Sequence, residues 1–188
     1  MYRSLAVGPI GVKASLAEAV ALASAHGFAG VSISRADIEA YGIESTRSLL
    51  RNAGLVASDA GLPVDFRTTD EAFERDMQGL QTFADMLKAV GCERVNTWLL
   101  PGSDTLPYAE NLALHRDRLG AVASVLAAAG VRLGLEYVGP ATARAKARYP
   151  FVHNQTGLFE LIDAIGGSNL GLLLDAYHWY TSGGNASE

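Results

Sequence analysis

The residues with the greatest chemical capacity lie in two short stretches of the last third of the chain. Val131-Arg132-Leu133-Gly134-Leu135-Glu136 is a largely apolar run that ends on a carboxylate. Leu170-Gly171-Leu172-Leu173-Leu174-Asp175 does the same, and His178 follows three residues later with Trp179 and Tyr180 beside it. Short apolar runs bounded by glycines read as buried strands of a parallel sheet. In such folds the site lies at the C-terminal ends of the strands, so each strand aims one acid at the same mouth. Two carboxylates and a nearby imidazole suit a divalent cation with positions left open for substrate oxygens. The cation also offsets the hydration that a carboxylate loses there. Each acid has a plainer reading, because Asp and Glu after a strand are common helix caps and turn residues. Their occurrence on successive strands, with a histidine close by, favours the metal reading.

These acids need a scaffold, and the chain supplies alternating elements. Strands are expected at Leu5-Ala6-Val7, Gly30 to Ile33, Leu55 to Ser58, Arg94 to Leu100, Val131 to Tyr137 and Leu170 to Leu174. Between them lie helical patterns. Ser15-Leu16-Ala17-Glu18 has capping-box form, and that helix runs to His26 and Gly27. A second helix is expected from Asp37 to Asn52, with Tyr41-Gly42 interrupting its pattern. Thr69-Asp70-Glu71 opens what reads as the longest helix, with Phe73, Met77, Leu80, Phe83, Ala84 and Leu87 on one face. Ala109 to Ala129 and Thr156 to Ile165 are the remaining helices, and Gly139 to Gln155 reads as a long loop.

Six βα-type units without a linker imply one domain over residues 1–188, with a parallel sheet and helices outside it. An open doubly wound sheet and a closed barrel both satisfy that pattern. Gly8-Pro9-Ile10-Gly11 does not match a dinucleotide fingerprint, and Pro9 removes an amide that a phosphate cradle would use. The expected fold class is therefore α/β, a (β/α) TIM-type barrel truncated to about six βα units, since a full barrel takes eight strands.

Composition narrows the function. Of 188 residues, 49% are hydrophobic and 19% charged, an ordinary globular balance. Lys and Arg number 15 against 20 Asp and Glu, a net charge of -5. An acidic chain without basic blocks is a poor partner for nucleic acid. No apolar run is long enough to span a membrane, and residues 1–13 lack signal-peptide order. The lone Cys92 excludes an internal disulfide and fits a reducing cytoplasm. Asn-x-Ser/Thr triplets at Asn154 and Asn185 read as chance matches.

Gly134-Leu135-Glu136-Tyr137-Val138-Gly139-Pro140 and Gly171 to Tyr180 resemble the sugar phosphate isomerase/epimerase family, which has the xylose isomerase-like barrel. Tyr149-Pro150-Phe151 and Gly157 to Ile162 are similar to it too. The resemblance implies a divalent metal (manganese, cobalt, magnesium or zinc) held by Glu136 and Asp175, with His178 contacting a substrate oxygen. It implies two further ligands, a histidine from a seventh strand and a glutamate from an eighth, and this sequence contains neither strand. Thr142 stands where some sugar 3-epimerases carry a second glutamate, a departure from those enzymes.

The expected function is a divalent-metal-dependent isomerase or epimerase of a sugar or related polyol, working by proton transfer through a cis-enediolate. Glu136 and His178 are its catalytic candidates. Trp98 and Trp179 are candidates to wall the sugar's apolar face. Arg144, Lys146 and Arg148 in the long loop could meet a phosphate or carboxylate, although a solvated loop face is the preferred reading. His26 suits a helix C-terminus, His115 is expected to be an exposed helix residue, and His153 and Cys92 carry no assigned role. Two rivals remain open: an AP endonuclease-like metal-dependent phosphodiesterase, and a non-catalytic truncated barrel that binds metal or sugar. The expected partner is a small sugar-like molecule. Bare strand edges would favour a homo-oligomer or aggregation.

Overall fold

A computed structural model describes residues 1–185. Its main sheet has six parallel strands: β1 (Ser4–Leu5), β2 (Gly30–Ile33), β3 (Val56–Gly61), β4 (Arg94–Trp98), β6 (Arg132–Glu136) and β8 (Leu170–Leu172). They lie in the order β1-β2-β3-β4-β6-β8, so each new strand joins the same growing edge. A doubly wound sheet reverses that order at a switch point, and none is present among the described residues. The winding is that of a (β/α) barrel with six of the eight strands.

The helices between these strands follow local signals. Ser15 caps α1 (Leu16–Ala25), and Glu18 returns a bond to the Ser15 amide. The single helix expected after β2 is two, α2 (Arg35–Tyr41) and α3 (Ile43–Asn52). Gly42 between them has φ 77°, which ends one helix and starts the next. The expected long helix after β3 is also two, α4 (Asp70–Met77) and α5 (Leu80–Val90). At the break, a Cβ on Gly79 would lie 2.8 Å from Arg35 Nη1, so the arginine occupies the space a side chain would need. The longest helix is α6 (Tyr108–Ala128).

The long loop after β6 carries structure of its own. It forms α7 (Ala141–Arg144) and then β7 (Tyr149–Pro150), which pairs antiparallel with β5 (Gly102–Ser103) from the loop after β4. α8 (Gln155–Ile165) starts at Asn154, whose side chain accepts from the Gly157 amide. A short α9 (Ala176–Thr181) follows β8. Strand bounds shift in places: β1 is two residues long rather than three, and β3 reaches Gly61. The triplet at Asn185 extends beyond the described residues.

The core forms between the sheet and the helices. Leu80, Phe83 and Leu87 of α5 and Leu119, Val122 and Leu126 of α6 join Val95, Leu133 and Leu135 of the strands in one buried cluster. Burying each leucine contributes roughly 1.5–3 kcal/mol. The other face of the sheet, the barrel interior, is polar. Asp59 accepts from Ser32 Oγ (3.0 Å), Ser58 Oγ (2.6 Å) and Asn96 Nδ2 (2.7 Å). Alternation thus leaves every second strand position, including Glu136, facing the interior.

Candidate metal centre at the mouth of the barrel

Glu136 is the last residue of β6 and Asp175 follows β8, the neighbouring strand. Each acid stands where the backbone hydrogen-bond ladder ends. Asp175 caps α9: its Oδ1 accepts from the amides of Tyr177 (2.7 Å) and His178 (3.0 Å). The plain capping reading is therefore correct for one oxygen, and Oδ2 is left for another partner. The cap also aims His178 at the mouth. His178 Nε2 lies 3.9 Å from Glu136 Oε1, with both side chains largely buried.

One ligand atom from each of Glu136, Asp175 and His178 lies within 4.8 Å of the other two. In a tetrahedral site with bonds of ~2.1 Å neighbouring ligand atoms stand about 3.4 Å apart, so the three groups would draw in by up to roughly 1.4 Å to share one ion. Burial pushes the Glu136 carboxyl above the ordinary glutamate range; His178 opposes that shift and Asp175 adds to it. His178 Nδ1 is buried without a partner among the described residues. A desolvated carboxylate, a free carboxylate oxygen and an imidazole whose Nε2 faces Glu136 fit a divalent cation.

Trp98 ends β4 and is the register partner of Glu136, while the Leu99 amide donates to the Glu136 carbonyl at 2.8 Å. Trp98 is 47% exposed, and its ring centroid stands 4.4 Å from the Arg67 guanidinium carbon. Arg67 is held between that ring and Phe66, donates to the Trp98 carbonyl, and reaches Thr97 Oγ1 at 2.8 Å. Arg118 of α6, which is buried, donates to the carbonyls of Phe66 (2.9 Å) and Thr68 (2.8 Å) and pairs with Asp70. It thereby fixes the loop that carries Arg67. Neither arginine stands out in the sequence, because no spacing or motif marks them.

The remaining candidates separate. Trp179 packs on its own turn, where a Cβ on Gly184 would fall 2.3 Å from its Nε1. His115, expected to be exposed, is only 4% exposed. The reason is tertiary: its ring packs against Phe66 and Phe151 from two different loops. His153 Nδ1 bonds the Phe151 carbonyl at 2.7 Å. Cys92 is buried and its thiol is pushed up to about 11 by burial, which fits an inert core residue.

A family model described as xylose isomerase-like TIM barrel matches residues 20–188. The chain belongs to that family. Among solved structures, the xylose isomerase-like chain is similar to a xylose isomerase domain protein from Alicyclobacillus acidocaldarius, at 32% identity and a TM-score of 0.86. The match covers 97% of this chain and 66% of that one. The IOLI protein, in a structure with a zinc atom, is 18% identical with a TM-score of 0.81 over 98% of this chain and 66% of that one. D-psicose 3-epimerase from Clostridium cellulolyticum H10, in a structure with D-tagatose, is 13% identical with a TM-score of 0.76 over 96% of this chain and 65% of that one. This xylose isomerase-like chain thus spans about two thirds of the length of these proteins. No curated protein matches it. Among the described residues no helix is long and apolar enough to cross a membrane.

Proposed function

We propose that the chain is the metal-bearing part of a divalent-metal-dependent isomerase or epimerase acting on a sugar or related polyol. It forms, in this reading, one barrel domain short of its last two strands. The observation that carries the proposal is the convergence of Glu136, Asp175 and His178 within 4.8 Å at the ends of two neighbouring strands.

Glu136 and Asp175 Oδ2 hold the cation, and His178 Nε2 meets it or a substrate oxygen beside it. A bound divalent ion supplies Lewis-acid stabilisation of negative charge on a substrate carbonyl oxygen. Glu136 Oε2, the oxygen that is not the closest to His178, takes up the proton from the carbon next to that carbonyl. Trp98 presents its exposed ring to the sugar's C–H face, which excludes water on that side. D-Tagatose, bound in the related epimerase structure, is a reasonable first ketose to try.

Solvent exchange tests the reading. Manganese-loaded protein in D2O should place deuterium on the carbon beside the carbonyl of D-tagatose or a related ketose. Glu136→Gln should slow this at least 100-fold, the low end of what a positioned acid–base group contributes. Full retention of hydrogen across a ketose panel would remove proton transfer from the account. Cleavage of an abasic duplex at enzyme-like rates would put phosphodiester hydrolysis in its place.

A further inference from the structure

Nearly half of Trp98 is exposed although one face of its ring is already covered. The Arg67 guanidinium lies over that face, and it lies over the Phe66 ring as well, 4.2 Å from the centroid. The open part of the indole is therefore its opposite face and its edge. Asn96, two residues earlier on β4, reaches Asp59 in the barrel interior, so alternation turns Trp98 to the interior too. Glu136 is its register partner, one strand spacing away, roughly 4.8 Å. Beside the ring there is room: Arg67 and Trp98 both line a cavity of about 700 Å³ under the loops after β3, β4 and β6.

Arg67 is itself held on every side. Its Nε donates to the Trp98 carbonyl at 3.1 Å, and its Nη2 donates to the same carbonyl and to Thr97 Oγ1. Asp65 stands 3.6 Å from its Nη1 as an ion-pair partner and accepts from the Arg67 amide at 3.0 Å. The side chain is only 15% exposed. The loop that carries it is tied at both flanks. The Asp65 amide donates to Asp76 Oδ2 of α4 at 3.0 Å, and buried Arg118 of α6 takes the carbonyls of Phe66 and Thr68 and pairs with Asp70. One guanidinium on an anchored loop thus meets both the backbone and the ring of a single residue, Trp98. Bonds to the carbonyl would be enough to join the two loops. Stacking on the ring does something more, because it fixes the direction of the indole.

We propose that Arg67 is a positioning residue that acts through Trp98: it clamps one face of the indole and so presents the other to a ligand held at the metal centre. The inference rests on the isomerase or epimerase reading, in which Trp98 meets the sugar's C–H face. An exposed tryptophan that is ordered in advance spares the ligand the cost of ordering it, about two- to tenfold in affinity. Arginine suits the task because its planar group can stack and donate in a fork at once, which a lysine cannot do. The cation also draws the ring's electron density towards the covered face. The open face is then a poorer partner for a second cation and is left for neutral C–H groups.

The test follows the indole N–H of Trp98 by ¹⁵N relaxation in the magnesium-loaded chain. The chain has two tryptophans, and Trp98→Phe identifies which signal is which. In the unaltered chain the Trp98 indole should be as rigid as the sheet, with an order parameter of about 0.85. Arg67→Met should bring it below about 0.6, and Arg67→Lys, which keeps the charge without the planar fork, should do the same. Unmoved backbone signals of β4 and β6 check that each variant is folded. D-Tagatose is then titrated into the same samples. Arg67→Met should weaken its binding about two- to tenfold, and should make no further difference in a Trp98→Ala background, since the effect passes through the ring. An indole that is equally rigid in both Arg67 variants, or a loss of binding that is undiminished in Trp98→Ala, would overturn the proposal. Tagatose binding beside an indole already mobile in the unaltered chain would remove Arg67 and leave the isomerase or epimerase reading standing. A chain that ignores D-tagatose would count against that reading, and the indole order parameter then decides the role of Arg67 by itself.

Discussion

The imidazole of His115 lies edge-on to Phe66, with ring centroids 5.5 Å apart, and tilted against Phe151 at 4.7 Å. Its Nδ1 is 2.9 Å from the Asn111 carbonyl and so carries the hydrogen. Burial is the main cause of its low proton affinity, about 4 against an ordinary 6.5; the Asn111 bond opposes it, and Arg67 and Arg118 add to it. The sign of the consequence is fixed by linkage. Between about pH 6.5 and 4 the unfolded chain holds a proton on His115 that the folded chain does not, so stability falls as pH drops through that window. The full effect is roughly 3 kcal/mol. Urea unfolding of His115→Leu at pH 7 and pH 4.5 should show a smaller loss between the two than the unaltered protein, and an identical loss would remove His115 from the acid response. Asp175 and Glu136 are more legible in sequence than His115, because a carboxylate after an apolar strand is located by its own strand. The burial of His115 is decided by aromatic residues from two distant loops, which no local window contains.

At the scale of elements, the site depends on how closely the loop after β6 passes α9. Gly139 is buried, and a Cβ there would come 2.1 Å from the His178 carbonyl oxygen and 2.9 Å from Thr181 Oγ1. Only a residue without a side chain lets the backbone beyond Glu136 touch the helix that carries His178. Gly139→Ala should therefore cost about 1–3 kcal/mol in a denaturant titration and weaken manganese binding, although it alters no ligand. Unchanged stability would show that the two elements pack less tightly than described. The same scale explains what sequence patterns miss. Six βα units and their order are readable because apolar runs and glycine stops are local. The breaks at Gly42 and Gly79 are less so: the first needs a positive φ, the second is set by Arg35 reaching across from α2. The β5–β7 ribbon is two residues a side and leaves no periodic trace. It closes one edge of the cavity, since Gly102 approaches Ala147 and Tyr149 there.

Across the molecule, the parallel sheet brings strand ends to one face, and the sequence patterns made that face identifiable in advance. What they left out is the ring of support around it: Arg67 between two aromatics, Arg118 beneath the β3 loop, and the paired loops over the cavity. Each depends on residues from separate elements that no local stretch of sequence contains. β1 and β8 are the outer strands of the described sheet, so the polar interior around Asp59 opens to a cavity of about 630 Å³ there. The metal centre lies at the C-terminal ends of β6 and β8, and its three residues are not among those lining that cavity. In this reading these two strands bring together a cation site by themselves. Titration of the chain with Mn²⁺, following the free ion by electron paramagnetic resonance, would detect that site. One site per chain is expected, weakened at least about tenfold in Glu136→Gln and in Asp175→Asn and lost in the double variant. Absence of binding, or binding that survives the double variant, would contradict it.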